Sequence, residues 1–203
     1  MAAQETNSYL EMHFHLSDGS VENFFQEDET AARRILDNLR PGQLFKQARI
    51  MLAGTYSMTA FVPSHLEKID FVCQDFVCWE FPADLSDIVV IPEAQFREKS
   101  GLADPARLQK RSQNRIAGDP FVAFLDLEMK SGRHTFLMLE GAVDLPAERF
   151  HRLQLLLSGI NLHARLPEGG MTLLNLANLL RFTAYPGPRE APTDAWSAHH
   201  RSS

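Results

Sequence analysis

The sequence predicts an α+β protein formed by tandem duplication of a ββαββ module, each copy a small curled sheet or barrel carrying one helix. Three observations predict it. Two strand–turn–strand segments repeat with glycine at matching turn positions, an amphipathic helical segment follows each, and a second pair of strands of similar texture closes each copy.

In the first copy, Leu10, Met12, Phe14 and Leu16 alternate with Glu11, His13, His15 and Ser17, the period-two pattern of a half-buried strand. Asp18 and Gly19 mark a tight turn, and residues 21–26 return as the second strand of a hairpin. Residues 28–39 predict a helix. Asp28, Glu29 and Thr30 supply capping groups and suit the positive end of the dipole, and Ala31, Ile35, Leu36 and Leu39 form its apolar face. Strands are expected over roughly 44–52 and 58–76, around Ala53 and Gly54.

The second copy repeats this order. Ala123, Leu125, Leu127 and Met129 alternate with Phe124, Asp126, Glu128 and Lys130, Gly132 aligns with Gly19, and residues 134–140 return. Residues 144–159 predict a helix with Pro146 in its first turn, Gly159 as C-terminal cap, and Phe150, Leu153 and Leu157 as its buried stripe. Strands follow over 160–166 and 171–184. Their end matches the first copy in texture: Ser64 and Asn175 are each followed five positions later by an aliphatic, Ile69 or Leu180, and two later by Phe71 or Phe182.

The expected organisation is a first module over residues 9–91, a polar, basic and partly helical connector over 92–120, a second module over 121–185, and a disordered tail over 186–203. Ile88, Val89, Val90 and Ile91 are expected to add an edge strand to the first module, and Pro92 to open a helix. The pattern from Ser64 to Phe71 and the hairpin and helix order resemble the small Sm-like or SH3-like barrels of uncharacterised bacterial proteins. That resemblance implies a binding module.

Composition narrows function. A net charge of -6 and a pI near 5.7 argue against general nucleic-acid binding, which needs a basic field. No apolar run reaches the roughly 20 residues that span a bilayer. The first eight residues are polar and include Glu5, unlike an export leader, so a cytoplasmic location is expected. Cys73 and Cys78 lie five apart in an apolar run. On an extended strand their side chains face opposite ways, and two buried, reduced thiols are expected.

Residues able to carry chemistry are few. His13 and His15 share a strand face with Glu11, and His65 is a conceivable third ligand, but a solvated face is expected and no metal or cofactor is assigned. Asp126 and Glu128 point outward, where burial would not separate their pKa values into an acid and a base. The flanking Phe, Val and Trp residues argue against either cysteine as a nucleophile.

Charge gathers in the connector, where Arg97, Lys99, Arg107, Lys110, Arg111 and Arg115 face three acidic residues between 92 and 118. The Arg111-to-Arg115 spacing, ahead of a strand, resembles the cyclic-dinucleotide motif of PilZ domains, which implies phosphate binding by Arg111, Arg115 and Lys110. The turn those domains also use has no serine at its place between Asp126 and Gly132. The reading is a non-catalytic interaction, scaffold or regulatory protein, with a protein partner or self-association through strand edges. The alternatives are a sensor of a phosphorylated small ligand at the connector, or an enzyme with its site in the inter-module cleft.

Overall fold

The computed structural model describes residues 9–74, 79–81, 85–102, 120–142, 148–187 and 196. Eleven strands and four helices are found among them, an α+β fold in which strand predominates. In the first half these are β1 (Leu10–Leu16), β2 (Val21–Gln26), α1 (Glu29–Asn38), α2 (Pro41–Leu44), β3 (Ile50–Ala53), β4 (Met58–Phe61) and β5 (Leu66–Val72). Next come β6 (Leu85–Val90) and α3 (Glu93–Ser100). The second half holds β7 (Pro120–Met129), β8 (His134–Ala142), α4 (Glu148–Ser158), β9 (Asn161–Arg165), β10 (Met171–Asn175) and β11 (Leu179–Tyr185).

The expected barrels do not close among the described residues. Nine strands form one open sheet in the order β11-β7-β8-β6-β9-β10-β5-β1-β2, and β3 pairs with β4 apart from it. A closed barrel would use up the edges of each half. Here those edges join the halves, through β10 on β5 and through β6, which pairs antiparallel with β8 and parallel with β9. β6 is therefore interior, and the expectation of an edge strand at 88–91 is corrected.

Local signals explain most element ends. The Asp28 side chain accepts from the Ala31 N–H at 2.7 Å and caps α1. Pro92 precedes α3, and Gly101 closes it in the left-handed region at φ 78°. Gly159 does not serve α4 in this way: its φ is not positive, and Leu156 is the most buried residue described on that helix.

Both closing strands, expected to run unbroken, are split by a 3-10 turn, at Pro63–His65 ahead of β5 and at Leu176–Asn178 ahead of β11. Each of β5 and β11 then pairs antiparallel with the first strand of its own half. A bulge falls one residue into each, at Glu67 between the pairs Leu16↔Leu66 and His15↔Lys68, and at Leu180 between Met129↔Leu179 and Glu128↔Arg181.

Strand alternation sends side chains to two cores on opposite faces of β5 and β10. Met12, Phe14, Ile69, Phe71 and Leu173 pack with α1, α2, β3 and β4, while Leu174 joins Leu125, Leu127, Leu137, Leu139 and Leu156 in the second core. A third cluster sets Phe96 of α3 against Phe124 and Ile91.

The β9–β10 turn is the tightest backbone approach. Gly170 has φ +92°, and a Cβ placed there would lie 2.0 Å from the Phe71 carbonyl oxygen. Gly170→Ala is expected to destabilise the fold by about 3 kcal/mol, since strain and overlap act together on a backbone atom. Urea denaturation of the variant against the parent measures it.

Candidate functional site

The two faces of β1, β5 and β10 differ in chemistry. On the face turned to the second core, cross-strand pairing sets His13 beside Asp70, His15 beside Lys68, and Thr172 beside Asp70. His15 Nε2 lies 2.7 Å and Lys68 Nζ 2.8 Å from the same oxygen, Asp70 Oδ2. Burial by itself would raise the Asp70 carboxyl. The His15 hydrogen bond and the Lys68 charge outweigh it and hold the group well below the usual carboxylate range. His15 is driven the other way from a normal partner of a carboxylate. Burial lowers its pKa, the Asp70 bond raises it, and the charges of Lys68 and Arg133 lower it further. A neutral ring that donates from Nε2 fits these terms, and it leaves Nδ1 as a bare acceptor, the cheaper atom to bury. His15 Nδ1, Asp70 Oδ1 and Thr172 Oγ1 are buried without a hydrogen-bond partner.

Next to this cluster, the bulge turns Glu67 fully inward, and it accepts from the Ser131 N–H at 2.7 Å and the Ser131 hydroxyl at 2.6 Å. Arg133 approaches the same carboxylate at 3.5 Å and donates to the Gly19 carbonyl at 2.9 Å. The two hairpin turns are thus bound to one buried charge. Asn175 and Asn178 extend the junction: their side-chain amides both donate to the Leu66 carbonyl at 2.8 Å, reaching from one 3-10 turn to the strand after the other. These polar groups hold the halves together.

The opposite face carries a cleft of about 680 Å³ between β1, β2, β5, the two helices of the first half and the β3–β4 hairpin. Met12, Phe14, Ile69 and Phe71 line it from the sheet, with Leu44 and Ile50 from the covering elements. Exposed Arg34, Asn38, Gln43 and Gln47 lie around it, and Met51, 57% exposed, is among its apolar lining residues. The cleft exists because β3–β4 does not join the main sheet. The hairpin is anchored at one end by Phe61, which stacks on Phe14 with ring centres 4.4 Å apart and meets Phe24 edge-on.

The sequence-level candidates fare unevenly. Lys110, Arg111 and Arg115 lie outside the described residues, as do Arg107 and Cys78. Cys73 is a half-buried free thiol. His13 and His15 do not form the expected solvated face, because Asp70 and Lys68 on β5 close over it, and His13 instead meets Glu11 at 3.3 Å. No group of three or more His, Cys, Asp or Glu among the described residues could hold a metal. Asp126 pairs with His134 at 2.6 Å and Glu128 with Arg181 at 2.6 Å, so both carboxylates tie neighbouring strands together. His163, which sequence reasoning passed over, stacks on Phe81 and meets the Glu80 carbonyl at 3.0 Å, and burial lowers its pKa. The cleft residues were likewise missed, and the one signal for them is the run of exposed methionine and tyrosine at Met51, Tyr56 and Met58.

Two outcomes test the polar junction. Glu67→Ala strands Ser131 and Arg133 and should cost about 3–5 kcal/mol in a denaturation experiment, with Glu67→Gln costing less. Acid should weaken the fold in two stages. Folded His15 binds its proton below the ordinary 6.5, so stability falls as pH drops from there and the unfolded chain takes up the proton first. Asp70 contributes stability that is present above its ordinary 3.8 and lost as pH falls through its depressed folded value. Urea titrations across pH should show His15→Gln removing the upper stage and Asp70→Asn the lower.

No protein-family model, curated protein or solved structure matches the chain.

Proposed function

We propose that the chain is a non-catalytic regulatory or interaction protein, a duplicated module whose second copy has become a framework and whose first copy keeps a ligand-receiving cleft. Duplication is supported by backbone geometry. Leu16 and Met129, Leu66 and Leu179, and the bulged Glu67 and Leu180 are each 113 positions apart. Both 3-10 turns, the glycines of both hairpins, and the bonds from Ser17 N–H to His65 and from Lys130 N–H to Asn178 keep that spacing. It puts Phe71 opposite Ala184 rather than Phe182, so the likeness of the two strand ends in sequence is offset by two residues from the likeness of their backbones.

The observation that carries the functional reading is the different placement of one hairpin in the two copies. β9–β10 lies within the main sheet, and every residue of β10 is buried. β3–β4 pairs only with itself among the described strands, is largely exposed, and covers the cleft. The cleft presents hydrocarbon edged by amides and guanidinium groups, which hold a ligand. The acidic groups nearby are already engaged, Glu67 with Ser131 across the junction and Asp70 with His15 and Lys68.

Two measurements on one preparation test this. Native mass spectrometry of freshly purified protein should show the chain with an added mass of a few hundred daltons, and hydrogen exchange should release β3–β4 amides at least about tenfold faster than β9–β10 amides. Equal protection of the two hairpins would end the division of labour between the copies. A captured nucleotide would move the function to Arg111 and Arg115.

A further inference from the structure

We infer that the first-half cleft binds a single-chain amphiphile with an anionic head, the chemistry of a long-chain fatty acid. The chain would lie against the half-buried lining residues Phe24, Ile35 and Leu52 and the carboxylate beside Arg34. This rests on the cleft being a receptor and adds what it receives.

Size, lining and charge each point to this class. At about 680 Å³ the cleft lies within the range of roughly 300–1,000 Å³ typical of small-molecule sites. Its inner lining is aliphatic and aromatic, which favours a hydrocarbon body over a polar one that would lose its water there. Met51, an exposed lining residue, has the unbranched, polarizable side chain that adapts to a flexible chain.

The sign of the head follows from the rim. Although the chain carries -6 overall, residues 33–49 hold Arg33, Arg34, Arg40, Lys46 and Arg49 against Asp37 alone. Arg33 is engaged with Glu29 and Arg40 with the Asp37 and Leu39 carbonyls. Arg34 lines the cleft, is exposed, and has no carboxylate partner among the described residues. Its guanidinium can take a carboxylate bidentately, and the exposed amides of Gln43 and Gln47 line the same cleft.

The molecule carries its own reporter. Trp79 packs edge-on against Phe71, ring centres 6.3 Å apart, and the remaining tryptophan, Trp196, is fully exposed. In a Trp196→Phe background, oleate at submicellar concentration should change Trp79 emission saturably at one per chain. Arg34→Ala should weaken oleate about tenfold while leaving oleyl alcohol nearly unchanged. Ala53→Phe, a change at an exposed lining position, should weaken both, with an unaltered melting curve as the check on folding. Oleyl alcohol binding as well as oleate, whether or not Arg34 is present, would overturn the anionic head and leave the receptor standing. Oleate binding untouched by both substitutions would overturn the site. Failure of both probes together with clean chain masses in native spectra would remove the receptor reading as well.

Discussion

Strand β5 is the seam on which this structure depends. It pairs with β1 of its own half and with β10 of the other, so the two halves share one hydrogen-bonded sheet. The alternation of its side chains then decides the chemistry on either side. Ile69 and Phe71 enter the first core, while Lys68 and Asp70 meet His15 and Thr172. One extra residue at the bulge aims Glu67 at the turn between β7 and β8. A carboxylate with no exposed surface must be compensated fully, and Ser131 and Arg133 do this from the other half. Any movement of one half against the other would uncover that charge or leave it alone.

The same constraint explains why the halves are not equivalent. With β10 occupying the free side of β5, the second half has spent its hairpin on the sheet. No described strand does the corresponding thing for β11, which remains an edge with Leu180 and Phe182 exposed. The first-half hairpin stays outside the main sheet and folds over its own core, held by the stack of Phe61 on Phe14. A cleft opens where the second half has continuous packing.

What could be read from the sequence was whatever local patterning determines. The alternation from Leu10 to Leu16, the Asp28 cap, the turns at Gly19 and Gly132 and the helix after Pro92 all depend on neighbours within a few residues. Long-range pairing was not legible. The run from Leu85 to Val90 is equally apolar whether it lies at an edge or between β8 and β9. His15 reads as solvated until β5 brings the Asp70 carboxylate within a hydrogen bond of it. The 3-10 turns escaped notice because Pro63 and Asn175 are compatible with strand ends as well as with breaks. The cleft was illegible for the same kind of reason: Met12, Phe14 and Phe71 are ordinary core residues in sequence, and only the placement of β3–β4 sets them at the floor of a cleft.

The rigid seam and the open cleft lie on opposite faces of the same strands, which fixes where a ligand's effect can go. β1 and β5 are held from behind by paired charges and from the side by β10, so their side of the cleft cannot yield without disturbing buried Asp70. The hairpin opposite is tied mainly at Phe61 and carries Tyr56 and Met58, 99% and 67% exposed, near its turn. On the proposed reading, a molecule entering the cleft would displace the hairpin and not the sheet. Occupancy would then change how the hairpin presents an aromatic and a methionine to solvent, which are side chains well able to contribute to a protein contact. On the proposed receptor reading, a signal would pass outward through β3–β4, with the second half as the fixed body against which that movement is made.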